Sequence, residues 1–290
     1  MKAGSSTRGY IELVITAVIW GITYVLMKYA LLFLDPEQIA FSRFLIASIV
    51  FVPIFFIFRE RYTRREVAIL ISLVLTGVLG YQLLFIIGEV GVSAGDASFI
   101  VSFEPILIVV LSISIKEEKF SWLLLIGLIV STAGLVFLMK PTSISRQELF
   151  SAFLILMSAL SWGIFTVLGK NLLKKHNPLN VTSFVSMVGV LFLMPFTGSG
   201  LISLFHVHSL YLILSLIFIG LGGTFVGYYL WFDGLKLVKP SLAGTTLYIT
   251  PFVTVLVASV LISEPISVTS LIGGSLIIAG LAISSIKGSG

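Results

Sequence analysis

The sequence predicts an all-α polytopic membrane protein of ten transmembrane helices, arranged as two inverted five-helix repeats. Three observations carry that reading. The chain of 290 residues is 58% hydrophobic and only 11% charged, whereas a soluble domain is nearer a quarter charged. Its apolar residues fall in continuous runs of about 20, the length that crosses a bilayer as a helix. The stretch AVIWGITYVLMK, Ala17 to Lys28, returns as ALSWGIFTVLGK, Ala159 to Lys170, sharing Ala, Trp, Gly, Val, Leu and Lys at a constant offset of 142.

In order along the chain, the runs cover about 10–33, 38–58, 67–88, 94–115, 121–139, 149–171, 180–197, 210–232, 241–262 and 268–286. The first follows Lys2 and Arg8, as a signal peptide would. It is long enough to span and carries no evident cleavage site, so it reads as a retained helix. The runs are continuous rather than alternating, which argues against a β-barrel. The connections are too short to hold a soluble domain. Counting Lys and Arg by side places fourteen with the N-terminus and three opposite (Arg43, Lys140 and Arg146), with Lys28 inside the first span. Basic residues mark the cytoplasmic side, so both termini are expected in the cytoplasm of a multi-pass cell-membrane protein. That placement also accounts for the net charge of +5 without a nucleic-acid partner.

The opening match extends along the chain. Pro36 and Pro53 pair with Pro178 and Pro195 at offset 142; Gly77, Gly80 and Gly91 with Gly220, Gly223 and Gly234 at 143; Ala97, Pro105, Glu118, Gly127 and Gly134 with Ala243, Pro251, Glu264, Gly273 and Gly280 at 146. The two units run over 10–139 and 147–286. Five spans is an odd number, so the second unit enters the membrane from the other side. Inverted-topology repeats of this kind mark many secondary transporters.

The W-G pairs of spans 1 and 6, AFSRFLIAS in span 2, FEPILIVVLSISIKEE through span 4 and ITPFVTVLVASVLISEPIS through span 9 resemble the drug/metabolite transporter superfamily, EamA-type. The resemblance covers roughly 10–286. It implies a ten-helix carrier of small metabolites such as amino acids, with spans 3, 4, 8 and 9 lining a central cavity and spans 5 and 10 peripheral. Nothing in the motifs specifies the solute.

Glu104 falls near the middle of span 4, directly before Pro105. A charge at the bilayer centre costs roughly 2.5–3.5 kcal/mol on insertion scales, so this carboxyl must face the bundle interior, find a partner or stay protonated. It is the candidate for proton coupling. Its repeat mate is Thr250 before Pro251, so that role would belong to one half only. Trp20, Tyr24 and Lys28 are spaced by four and share a face of span 1; Trp162, Thr166 and Lys170 form the matching face of span 6. Lining a cavity or gate is one reading of them, and aromatic anchoring and lysine snorkelling at the interface is the other. Arg43 in span 2 is a gate or ion-pair candidate that needs a carboxylate; structural pairing with Asp35, Glu37, Glu89 or Glu104 on nearby helices is one reading and substrate capture the other. On span 3, Gly77, Tyr81 and Leu84 share a face beside Gln82; on span 8, Gly220, Thr224, Tyr228 and Trp231 do. Both could shape a solute pocket or simply pack. Ser102 on span 4 and Thr245, Tyr248 and Thr250 on span 9 gain a binding role only from the resemblance. Gly127, Gly134, Gly273 and Gly280 permit close helix approach, within the monomer or in a homodimer through spans 5 and 10.

There is no cysteine, no Walker-type phosphate loop and no metal-ligand cluster, and the intramembrane ionisable groups are too scattered for an enzyme. No cofactor is implied. The expected partners are a small-molecule substrate and the lipid bilayer. The leading reading is a secondary transporter by alternating access, in the export direction. An importer of the same fold and a non-transport scaffold subunit stay open. A scaffold predicts a filled core, and a carrier a hydrated cavity open to one side.

Overall fold

The computed structural model describes residues 3–92, 94–138, 146–197, 209–261 and 268–285; Lys2, Lys140, Gly198 to Gly200, His206, His208, Glu264 and Lys287 lie outside them. Every described element is helical: α1 (Ala3–Ala30), α2 (Pro36–Ile57), α3 (Arg64–Val90), α4a (Ala94–Val101), α4b (Glu104–Ser114), α5 (Trp122–Leu138), α6 (Arg146–Leu173), α7 (Pro178–Phe196), α8 (Leu210–Leu237), α9a (Pro240–Thr246), α9b (Ile249–Leu261) and α10 (Val268–Ser285). Seven helical stretches are long and apolar enough to cross a membrane, and α4b and Trp122–Gly134 of α5 are shorter apolar helices.

Local chemistry sets the ends. Asp35 precedes Pro36, and its amide is held by Gln38 Oε1 at 3.1 Å. Its repeat mate Asn177 precedes Pro178 and accepts from the Leu179 amide at 2.9 Å. Proline at the first helical position gives up an amide that has no partner there anyway. Thr63 and Glu66 cap α3 reciprocally, by bonds of 3.3 and 2.9 Å. Pro53 stays inside α2, whereas Pro195 lies in a short 3-10 turn that ends α7.

Two features depart from simple helical wheels. The stretches Val74–Leu83 of α3 and Phe218–Val226 of α8 are π-wound. The wider winding buries Phe85 and Ile86 and leaves Leu84 half-exposed, so Leu84 does not share the face of Gly77 and Tyr81. Spans 4 and 9 are each broken, at Ser102–Phe103 and at Leu247–Tyr248, just before Glu104-Pro105 and Thr250-Pro251. A proline lacks the amide that would carry the preceding turn onward.

The polarity of the bundle is inside out relative to a water-soluble fold. Ile49, Phe56, Val110, Ile129, Leu191 and Val260 are exposed, while Arg43, Glu89 and Glu104 are buried. An apolar exterior suits lipid. At the centre, Trp20 and Trp162 meet edge-to-face with centroids 5.1 Å apart.

Close contacts recur in pairs. A Cβ on Gly88 would meet Ile155 and the Ser151 carbonyl, and one on Gly234 would meet Leu13 and the Gly9 carbonyl. A Cβ on Gly77 would meet Phe165, and one on Gly223 would meet Thr23. These equivalences pair Gly77 with Gly223 and Gly88 with Gly234, not Gly77 with Gly220 and Gly91 with Gly234 as letter matching suggests. Glycines three or four apart lie on one helical face, and their letters alone match in either register.

Lysines are paired in the same way. Lys28 Nζ donates to the carbonyls of Glu89 at 2.7 Å and Val92 at 2.6 Å; Lys170 Nζ donates to those of Leu235 at 2.8 Å and Val238 at 2.6 Å. Each satisfies the orphan carbonyls that end α3 or α8, where the helix dipole also favours a cation.

One end of the bundle is tied across by polar groups. His176 Nδ1 lies 2.6 Å from Glu60 and its Nε2 3.3 Å from Glu66. The Asn177 amide donates to Glu60 at 3.0 Å, and Lys174 pairs with Glu117 at 2.7 Å. Arg8 pairs with Asp233, and Glu118 accepts from Ser241. Tyr62 donates to Asn180; burial, then Glu60 and Glu66, push its hydroxyl well above its ordinary range, which keeps it a donor.

α5 and α10 pack against each other through the glycines. A Cβ on Gly134 would stand 2.6 Å from the Gly273 carbonyl, and one on Gly280 2.6 Å from the Gly127 carbonyl. The stripe is therefore occupied within the chain, and a homodimer through these helices would have to use their other faces. Gly134→Leu or Gly280→Leu must force the pair apart, at about 1–3 kcal/mol for overpacking. Thermal unfolding in detergent is expected to drop by several degrees for both. Gly222→Ala, whose Cβ would meet only the Phe218 ring at 3.4 Å, should unfold within a degree of wild type. Equal midpoints for all three would refute this packing.

Candidate functional site

A small cavity opens at the centre of the bundle. α1 contributes Trp20, Thr23, Tyr24 and Met27, α2 contributes Arg43, α3 contributes Tyr81, Gln82 and Phe85, and α8 contributes Tyr228. Its volume is about 10 Å³, room for roughly one water molecule. Among the described residues this cavity is far smaller than the open, hydrated vestibule expected of a carrier: the aromatic side chains close on one another. Trp231 packs against Trp20 and Trp162 at 5.4 Å from each, and Tyr228 stands 5.6 Å from Trp162. Tilted and edge-on pairs of this kind are favoured by the ring quadrupoles.

Hydrogen bonds knit the polar wall. Arg43 Nε donates to Thr224 Oγ1 at 2.8 Å, and its Nη1 to Gln82 Oε1 at 2.5 Å and Met27 Sδ at 3.4 Å. Gln82 Nε2 donates to Tyr228 Oη at 2.8 Å, which in turn donates to the Gly77 carbonyl at 3.2 Å. Tyr24 and Tyr81 share a hydroxyl–hydroxyl bond of 2.9 Å. Glu104 lies against Tyr81, with one carboxyl oxygen buried and unpartnered.

The site is not symmetric, although its helices are matched. Trp20 Nε1 donates to the Gly223 carbonyl at 2.9 Å. The contact-derived equivalent of Gly223 is Gly77, whose carbonyl is taken by Tyr228. Trp162 Nε1 is left buried with no partner. A buried donor without a partner costs about 1–3 kcal/mol, so the arrangement stores a local asymmetry.

Of the residues singled out in the sequence, Trp20, Tyr24, Tyr81, Gln82, Arg43 and Tyr228 line the cavity, while Thr224, Trp162, Trp231 and Glu104 support it. Others are elsewhere. Ser102 donates to the Ser98 carbonyl at 2.7 Å and Thr245 to that of Leu242 at 2.9 Å, so both hydroxyls satisfy their own helix. Tyr248 turns away to Thr132 of α5, at 3.3 Å, and packs in a separate cluster with Val109, Leu124, Leu128 and Ile277. Thr250 joins α9b to α1 through the Ala17 carbonyl at 3.3 Å. Lys28 is consumed as a helix cap. Arg43 is not ion-paired as expected: its partners among the described residues are all neutral, Asp35 is exposed in the α1–α2 turn, and both Glu89 carboxylate oxygens are buried without a partner. Thr23, Met27 and Phe85 also line the cavity. They are three, seven and four residues from Trp20, Trp20 and Tyr81 respectively, so helical spacing alone could have added them.

Comparison with known proteins agrees with this architecture. The EamA-like transporter family matches twice, over residues 7–140 and 149–286. An uncharacterized transporter of Archaeoglobus fulgidus is 32% identical over 95% of this chain and 98% of its own length. A probable terminal-alkyne amino-acid exporter of Streptantibioticus cattleyicolor is 27% identical, covering 93% and 91%. A probable amino-acid metabolite efflux pump of Salmonella typhimurium is 26% identical, covering 96% and 95%. A solved crystal structure superposes with a TM-score of 0.78 at 17% identity, over 99% of this chain and 98% of the other, which speaks to the fold alone. The apolar helices make a multi-pass membrane protein, and the double match and full-length relatives place it: this chain is a membrane transporter of the EamA-like transporter family, not an enzyme.

Proposed function

We propose that the chain is a secondary transporter that exports a small organic metabolite, of amino-acid size, across the cell membrane by alternating access. In this reading ten spans form two inverted repeats, over 10–139 and 147–286, with both termini cytoplasmic. The observation that carries it is the unequal state of matched groups at one centre. Trp20 holds the Gly223 carbonyl while its repeat mate Trp162 is orphaned and Tyr228 holds Gly77. Two like halves in unlike states are what one arrangement of an alternating carrier requires. The opposite arrangement would give Trp162 the Gly77 carbonyl and release Trp20.

Support comes from two further sides. Relatives named as a probable terminal-alkyne amino-acid exporter and a probable amino-acid metabolite efflux pump match over 91% and 95% of their own length. The tied end of the bundle, built on Glu60–His176 and Lys174–Glu117, carries the basic loops assigned to the cytoplasm, so this conformation reads as closed there. The nearly filled core is what a scaffold subunit predicts, but a scaffold gains nothing from burying Glu89 and Glu104 with unpartnered oxygens. Such groups are costly in a membrane interior and mark solute or proton routes.

Proteoliposomes preloaded with unlabelled L-amino acids should take up the labelled form by counterflow, and Trp162→Phe should slow that exchange about tenfold while leaving the protein folded. No counterflow across the twenty amino acids would rule out the solute class. Because the chain has no native cysteine, Lys2→Cys and Lys287→Cys can be labelled singly. Both should react with an impermeant maleimide only from the cytoplasmic side, and labelling on opposite sides would remove the inverted topology. Glu104→Gln should keep counterflow but lose its response to an imposed proton gradient; an unchanged response would separate transport from this carboxyl.

A further inference from the structure

We propose that Arg43 is the docking group for a carboxylate on the transported solute, an assignment that rests on the carrier reading above. A guanidinium stays charged in any protein environment, and Arg43 is 2% exposed. A buried charge needs an opposite charge or a full set of hydrogen bonds. Its partners among the described residues, Thr224, Gln82 and Met27, are neutral. The nearest carboxylates do not close on it: Glu89 acts on it only at a distance, and both Glu89 oxygens are unpartnered.

The fork is held as a receptor would hold it. Thr224 fixes Nε and Gln82 fixes Nη1, from helices of different halves. Gln82 is itself fixed by Tyr228. Nη2 points past Gly223, where even a Cβ would come within 3.5 Å of it. Among the described residues it is the one nitrogen of the fork without a bond, and Arg43 is part of the cavity wall. Nη2 is thus the donor left for a carboxylate oxygen, and giving up the weak contact to Met27 Sδ at 3.4 Å would free an Nη1 hydrogen for the second oxygen of a bidentate pair.

Packing does not demand the charge. The repeat mate of Arg43 is Val185, which is fully buried in the matching place on α7. The fold is thus satisfied by an apolar residue there, and the arginine marks a job done in one half only. A single monoanionic group fits better than phosphate, because the neighbouring cation on α1, half-buried Lys28, is committed to carbonyls at 2.7 and 2.6 Å.

The test measures binding, separately from flux. Protein in nanodiscs is titrated with the twenty L-amino acids and with the corresponding L-amino acid amides, following the fluorescence of the central tryptophans. At least one acid should bind about tenfold or more tighter than its amide, the scale of a charged hydrogen bond. Arg43→Gln should erase that preference by weakening the acid alone. Arg43→Val, copying the second half, should unfold no earlier than wild type and show the same loss. No acid-over-amide preference anywhere in the panel, or a preference that survives Arg43→Gln, overturns the assignment. Counterflow without an acid preference would sink this assignment and spare the carrier reading; an Arg43-dependent preference without counterflow would do the reverse.

Discussion

A charge in the middle of a lipid-embedded bundle has no bulk water to fall back on, and the rest of this structure follows from that constraint. A polar group that the protein leaves unsatisfied there is costly. Arg43 is the extreme case, and its needs draw together α1, α2, α3 and α8 through Met27, Gln82, Thr224 and Tyr228. The same network positions Tyr228 over Gly77 and so decides which tryptophan keeps a partner. The shape of the cavity is therefore a consequence of one set of bonds.

The outer packing answers a different demand. Lipid offers little drive to bring helices together, so close approach must come from small residues and good fit. The reciprocal glycine contacts of α5 with α10, and of α3 and α8 with their neighbours, supply it. These contacts surround a centre where the two halves differ in chemistry, Arg43 against Val185 and Glu104 against Thr250. Matched scaffolds thus carry an unmatched site.

Much of the architecture was legible in the sequence. Hydropathy and loop charge give the spans because they report directly on solvent. The repeated W-G-x-x-x-V-L-x-K pattern points to the centre because Trp20 and Trp162 meet there. What was not legible has physical causes. No letter signals π winding, so α-helical spacing puts Leu84 rather than Phe85 on the face of Gly77 and Tyr81. Tyr248 was grouped with Thr245 on a continuous helix, but the break before Ile249 rotates it towards Thr132. The ion pair anticipated for Arg43 assumed that proximity of charge implies contact. In the structure, neutral Gln82 and Thr224 take Nη1 and Nε, and none of the described carboxylates bonds the guanidinium.

Lys28 and Lys170 each bind a chain end that belongs to another helix. An ammonium with three protons serves several carbonyls at once, so each lysine rivets its own helix to the terminus of a second one. In the alternating-access motion proposed above, the two helices so joined within each half move as a single lever. Bending must be borne where no rivet sits, and the interrupted spans, at Ser102–Phe103 and Leu247–Tyr248, are the natural elbows.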